Sequence, residues 1–294
     1  MNNILETQLR MTMDALSNGV AEIDDDLLDH IVEEAGEQCK QALRKQLDRK
    51  PQKFRMRPSN LGRPLCQLLM EKSEAEREKM PYNHIFRMMY GDMTEILVEV
   101  LAKISKVNIT GGKSSTSVTF SGQEIVGEND IEIDGKVYDT KSTSPWAYDN
   151  KWTDGWAGVR KDDAFGYCAQ LLAYSADMPM GGWIVVNKST GELRVVEAQP
   201  TESDLDDLRS SIENTLAQVG KSDGTLIKCF EPMEEQFRRV PTGSKRLHTT
   251  CTFCSYKRHC WPDAVYKPQT GSKAQNPRHY WYSEYAGKNM PEAV

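Results

Sequence analysis

With 294 residues, 38% of them hydrophobic and 27% charged, the chain can hold one large domain or a catalytic core with appendages. No apolar run is long enough to span a bilayer, and a formal net charge of −6 argues against indiscriminate coating of nucleic acid. The start, Met1-Asn-Asn-Ile-Leu-Glu, lacks the basic-then-apolar pattern of a secretory signal, so a cytoplasmic protein is expected.

Residues 1–50 carry helical periodicity, with Leu27, Ile31 and Ala35 on one stripe and the run Asp24 to Asp26 as cap and acidic first turn. A proline-bearing link (Pro51, Pro58) follows. Over 83–105 the spacing predicts a long helix with Phe86, Met89, Met93, Leu97, Val100 and Ile104 as its core stripe. Glu95 lies on a flank of that stripe, Gly91 one turn earlier leaves room for close approach, and His84 is expected at a cap or surface. Three strands are predicted at 115–120, 123–133 and 136–143. A polar, aromatic loop with Trp146, Trp152 and Trp156 comes next, and then a helix over 160–178 ended by Gly181-Gly182. A hairpin at 183–187 and 192–198 precedes an amphipathic helix over 203–219. Ser203 is its predicted N-cap, and Leu205, Leu208, Ile212 and Leu216 point inward. The last fifty residues are polar and sparsely periodic, so a covalent or metal staple is expected to order them. This element order predicts an α/β fold, with helices covering a mixed sheet.

The stretch Gly127-Glu-Asn-Asp130-Ile-Glu-Ile-Asp-Gly135-Lys-Val-Tyr-Asp139-Thr-Lys141 carries the chemistry. Asp134-Gly135 suits a tight hairpin turn. Asp139 and Lys141, two apart on a strand, leave the same face, and Asp130 can join them. Two carboxylates and an ammonium on one sheet face make sense around a hard divalent cation.

A helix with Glu95, then Gly127-x-x-Asp130, Asp139-Thr-Lys141 and Gln170-Leu-Leu-Ala-Tyr174, resembles the PD-(D/E)XK nuclease superfamily. The trailing Gln-x-x-x-Tyr points to its RecB-like branch. The resemblance implies a restriction-endonuclease-like core in which Asp130 and Asp139 bind Mg²⁺ or Mn²⁺, with the Thr140 carbonyl between them, and Lys141 assists the attacking water. Glu95 takes the first-motif position, where many RecB-like members have histidine. Gln170 and Tyr174, four apart on one helix face, can orient Lys141, the water or a DNA phosphate.

Of seven cysteines, Cys251, Cys254 and Cys260 cluster near the end and Cys66 lies far upstream. An odd number in an intracellular chain suggests metal ligation over a disulfide framework. Four thiolates suit a 4Fe–4S cluster or tetrahedral zinc, and the single close pair favours the cluster. Nuclease domains related to AddB and the CRISPR-associated iron–sulfur exonucleases have a similar spacing, and Ser59-Asn-Leu-Gly-Arg-Pro-Leu-Cys66 resembles the segment around their first cysteine. Cys39, Cys168 and Cys229 read as buried apolar residues.

The tryptophan loop, flanked by Lys151, Arg160 and Lys161, has the aromatics and cations of single-stranded DNA binding. Packing onto the core explains it equally, and one tryptophan of the three is expected to be exposed. From Pro241 on, eight Lys/Arg (the last Lys288) stand against Asp263, Glu284 and Glu292, so a basic surface can coexist with an acidic whole. The expected organisation is a helical extension (1–58), a nuclease core (59–230) and a cluster region with tail (231–294). The expected activity is that of a metal-dependent exodeoxyribonuclease acting on single strands or DNA ends in recombination, repair or phage replication. The rival is a zinc- or cluster-stapled nucleic-acid-binding or assembly protein without catalysis.

Overall fold

The computed structural model describes residues 3–50, 53–79, 81–223 and 225–287; Pro51, Lys288 and Glu292 lie outside them. Two amphipathic helices come first, α1 (Ile4–Ser17) and α2 (Asp25–Leu47). Asn3 caps the first by accepting the Glu6 N–H, and Asp24 caps the second by accepting the Leu27 N–H at 3.0 Å. Ile31 is buried, and Leu27 and Ala35 are partly so. The short helices α3 (Pro58–Leu61) and α4 (Leu65–Lys72) precede α5 (Asn83–Ile104).

Helix α5 has the expected bounds, but its most buried face is offset from the expected stripe, of which Met89, Met93, Val100 and Ile104 are half-buried. Asp92, Thr94, Ile96, Val98 and Ala102 are buried, whereas Phe86 and Leu97 are exposed. Polar anchors explain the correction. Asp92 accepts from Gln46 and Lys45 of α2, at 2.5 and 3.1 Å, and Glu99 accepts from Gln38 and pairs with Lys103. Buried polar groups must be partnered, so these contacts set the rotation of the helix.

Strands β1 (Ile109–Gly111), β2 (Ser115–Phe120), β3 (Gln123–Glu128), β4 (Ile131–Ile133) and β5 (Lys136–Thr143) follow. The single strand expected over 123–133 is broken at Asn129-Asp130. The buried Asn129 side chain accepts the Ser114 N–H and donates to Glu132, taking backbone and side chain out of a continuous ladder. Thus β3 pairs with β2 as a separate hairpin, and β4 pairs with β5. Asp134 and Gly135 both have positive φ, at 51° and 69°, as a two-residue hairpin turn requires.

The helix expected over 160–178 is instead split. The stretch expected as a loop holds α6 (Pro145–Asn150) and most of α7 (Gly155–Lys161), which ends inside the expected helix, and the rest of that helix is α8 (Tyr167–Tyr174). The break lies at Gly166, whose left-handed backbone (φ 78°) packs against Gly62 so closely that a Cβ on either would collide with the other's backbone. Asp163 then caps α8 by accepting the Tyr167 and Cys168 N–H groups at 2.7 and 2.9 Å. Strands β6 (Met180–Asn187) and β7 (Leu193–Glu197) lead to α9 (Glu202–Lys221). Its cap is Thr201 rather than Ser203: Thr201 Oγ1 accepts the Asp204 N–H, and Asp204 accepts the Thr201 N–H. Leu208, Ile212 and Leu216 are buried as expected.

Beyond α9 come β8 (Met233–Phe237), β9 (Val240–Arg246), α10 (Thr249–Thr252), α11 (Lys257–Cys260), β10 (Val265–Pro268) and β11 (His279–Glu284). The chain divides into two compact units, Met1–Gly62 with Pro81–Ala217, and Arg63–Met80 with Gln218–Val294. The N-terminal helices therefore belong to the unit that holds the main sheet.

That first unit is α/β. Its five-stranded sheet has the order β1-β4-β5-β6-β7, with β5 and β6 parallel and the other pairs antiparallel. Leu9 of α1 and Val98 and Ala102 of α5 pack on Ile131, Ile133, Tyr138, Ile184, Leu193 and Val195, which line one face. One residue along each strand, Asp139 and Trp183 point to the other face. There Trp152 and Trp156 stand 5.6 and 6.0 Å from Trp183.

The second unit is built on an antiparallel sheet of order β10-β11-β9-β8. Inside it the buried Glu235 accepts hydrogen bonds from Tyr282 Oη (2.6 Å) and Thr242 Oγ1 (2.9 Å). No helix among the described residues is long and apolar enough to cross a membrane.

Candidate active site

The tight turn at Asp134-Gly135 fixes the register of β4 on β5, with Ile131 opposite Tyr138. It thereby sets Asp130 beside the middle of β5, where Asp130 Oδ2 accepts the backbone N–H of Thr140 at 2.7 Å. Asp139 is fully buried; its Oδ1 accepts from Lys141 Nζ at 2.6 Å, and its Oδ2 has no hydrogen-bond partner. The same-face geometry expected of Asp139 and Lys141 is therefore present, with both packed inward.

Electrostatics tie Glu95 to this group. Burial, then the Asp130 charge, push the Glu95 carboxyl up to about 8 against the pull of Lys141. Burial pushes Asp139 up to about 7, with Lys141 opposing and Asp130 adding to the rise. Burial alone would lower Lys141, but Asp139 and Asp130 outweigh it and hold the ammonium above its usual range. Asp92, one turn from Glu95, adds negative charge that sequence reasoning overlooked. Gly91, as expected, faces open space.

Helix α8 brings the last pair. Gln170 Nε2 donates to Tyr174 Oη at 3.0 Å. Tyr174 titrates above the usual tyrosine range because of burial and then the nearby Asp139 and Asp130 charges. Gly127 is needed here for its small size: a Cβ would run into the Pro58 ring and come within 3.2 Å of Tyr174 Cε1. Tyr167 was missed: Lys141 Nζ stands 5.3 Å from its ring centroid and Lys151 Nζ 4.9 Å. Its place three residues before Gln170, on the same helix face, was the available signal. Of the loop tryptophans, Trp152 and Trp156 are buried and Trp146 is exposed.

Among the described residues no three His, Cys, Asp or Glu side chains form a ready metal-binding set. In the carboxylate group one oxygen each of Asp139 and Asp130 is engaged by Lys141 and the Thr140 amide. The donor chemistry nevertheless fits Mg²⁺ or Mn²⁺. Asp139 Oδ2 is buried and orphaned, and the raised carboxyls of Glu95 and Asp139 are short of positive charge.

The thiols of Cys66, Cys251, Cys254 and Cys260 line one pocket of the second unit, together with Phe230 and Trp261. Burial, then the neighbouring Cys254 and Cys260, push Cys251 up to about 11, which is the crowding a thiolate-binding metal relieves. Cys229, expected to be a buried apolar residue, is exposed, and its sulfur accepts the Cys66 N–H at 3.1 Å. Hydrogen bonding to Cys66 pulls the Cys229 thiol down to about 6. Cys168 is buried as expected.

No protein-family model matches the chain, and no curated protein matches it. The chain is similar to a solved structure described as "Crystal structure of SSO0001", at 12% identity and a TM-score of 0.40, over 75% of this chain and 92% of that one. A likeness this weak carries no argument, so the site rests on its own geometry.

Proposed function

We propose that the first unit is a divalent-metal-dependent DNA nuclease acting on single strands or DNA ends, and that the second holds a 4Fe–4S cluster. One observation carries the nuclease reading: the Lys141 ammonium lies 2.6 Å from the buried Asp139 carboxylate, while Asp130 is tied to the intervening Thr140 amide. Glu95, Asp130 and Asp139 would hold the cation, with the Thr140 carbonyl as a further oxygen donor. When bound, Mg²⁺ or Mn²⁺ supplies charge neutralisation to the phosphate and lowers the pKa of water.

The chain's own residues do the rest. Lys141, held fully charged by two carboxylates, offers an ammonium to the attacking water or to negative charge developing on the phosphate. Tyr174 and Gln170 form a hydrogen-bonded wall that can hold a phosphate oxygen or the water in line. The Tyr167 ring stands 5.3 Å from Lys141 and the buried Trp183 pairs with Asp139 across β5 and β6, a low-dielectric surround that strengthens each of these interactions.

The test is digestion of end-labelled single- and double-stranded DNA with Mn²⁺ or Mg²⁺. Wild type shortens the strands from an end. Asp139→Ala and Lys141→Ala each lower the rate by about 100-fold or more while keeping the native circular dichroism spectrum. Retained activity in either variant overturns the site. An inactive wild type that still binds DNA supports the non-catalytic rival.

A further inference from the structure

Of the stripe of α5 expected in the core, Phe86 stands in solvent, and it does so in line with two tyrosines. Tyr82, Phe86 and Tyr90 recur every fourth residue and are 90%, 72% and 48% exposed. Residues four apart share a helix face, so the rings follow one another at about 6 Å of helix axis per step. Ile85 and Met88 are exposed beside them. Soluble proteins seldom display so continuous an apolar patch without a partner for it.

The row runs toward the candidate site. Tyr90 Oη donates to the Lys188 carbonyl at 3.1 Å, and the Lys188 N–H donates to the carbonyl of Thr143 at 3.1 Å. Thr143 ends β5, the strand that bears Asp139 and Lys141. Three residues on, Trp146 is 59% exposed. Cations accompany the rings. Lys188, Arg87 and Arg49 are exposed, and both arginines lie near enough to His84, in the first turn of α5, to join burial in holding its proton affinity down.

We propose that Tyr82, Phe86, Tyr90 and Trp146 form a stacking track for the bases of single-stranded DNA, with Arg49, Arg87 and Lys188 meeting its phosphates. The assignment rests on the nuclease reading and adds the path by which the strand reaches β5. Flat rings need free base faces, which a single strand offers and a duplex keeps stacked on itself. Charge selects the polyanion over a second copy of the chain, since a two-fold pairing of this face would bring the cations toward their own copies.

The experiment uses the full chain in EDTA, which withholds metal and cleavage. Anisotropy of a labelled oligothymidine of about 15 nucleotides is compared with that of an abasic strand of equal length. The track predicts that Tyr82→Ala with Phe86→Ala weakens oligothymidine binding about tenfold or more and leaves abasic binding unchanged. Arg87→Ala is expected to weaken both and to flatten the salt dependence. Equal binding by the double variant, or equal loss for both strands, overturns the proposal. So does a drop from dimer to monomer mass on the double substitution, since the face would then pair copies. Cleavage in Mn²⁺ is followed in parallel. A chain that cuts DNA but binds without the rings disproves the track alone. A chain that binds through the rings but never cuts disproves the nuclease reading alone.

Discussion

Glu95 and Asp139 show how burial and like charge act together on single residues. Both carboxyls are raised, to about 8 and about 7, with burial as the first cause and neighbouring carboxylates adding to it. An unfolded carboxyl titrates near about 4, so the fold favours the neutral acid at both positions. Their contribution to stability is complete below the unfolded pKa and is lost as pH rises through the folded values. The metal-free protein is therefore expected to lose thermal stability between pH 5 and pH 8, and Mn²⁺ to restore it. Glu95→Gln, which removes one repelling charge, should raise metal-free stability at pH 8 by about 1 kcal/mol and change it little at pH 5. Denaturant titrations at the two pH values check this, and a larger gain at pH 5 would refute it. Calorimetry of Mn²⁺ binding should also show proton release, because the carboxyls must ionise to bind.

Among the elements, α8 depends on one backbone crossing. Gly62 and Gly166 approach so closely that neither tolerates a Cβ without backbone movement, and α8 starts at that crossing. Gly62→Ala should destabilise the first unit by about 1–3 kcal/mol and displace Gln170 and Tyr174, lowering the proposed nuclease turnover along with stability. Gly91→Ala is the contrasting case. Its Cβ would meet nothing within 4 Å, and the residue lies inside α5, so a gain of about 0.5–1 kcal/mol is expected. Urea unfolding of the two variants separates them by sign.

For the molecule as a whole, the proposed thiol site gives the second unit a testable role. Cys66 and the segment 229–260 lie in one unit although 81–217 intervenes in the chain, so a metal held there would join the unit's two chain segments. Anaerobic purification should yield a brown protein with iron and sulfide, and Cys66→Ser or Cys251→Ser should lose both. Cys229→Ser should retain them, because a serine hydroxyl can take over from Cys229 the acceptance of the Cys66 N–H. A colourless protein carrying zinc would refute the cluster.

Local patterns were enough for the Asp134-Gly135 turn, strands β2 and β5, the inward face of α9 and the sequence order of Glu95, Asp130, Asp139, Lys141, Gln170 and Tyr174. These depend on turn chemistry and periodicity, which act over a few residues. Tertiary structure decided which stripe of α5 is buried, because Gln46 and Lys45, nearly fifty residues away, claim Asp92. It also decided that Trp152 and Trp156 pack on Trp183 while Trp146 stays in solvent, and that Cys229 meets Cys66. Periodicity tells which side chains share a face; only the packed chain supplies whatever covers that face, or leaves it open.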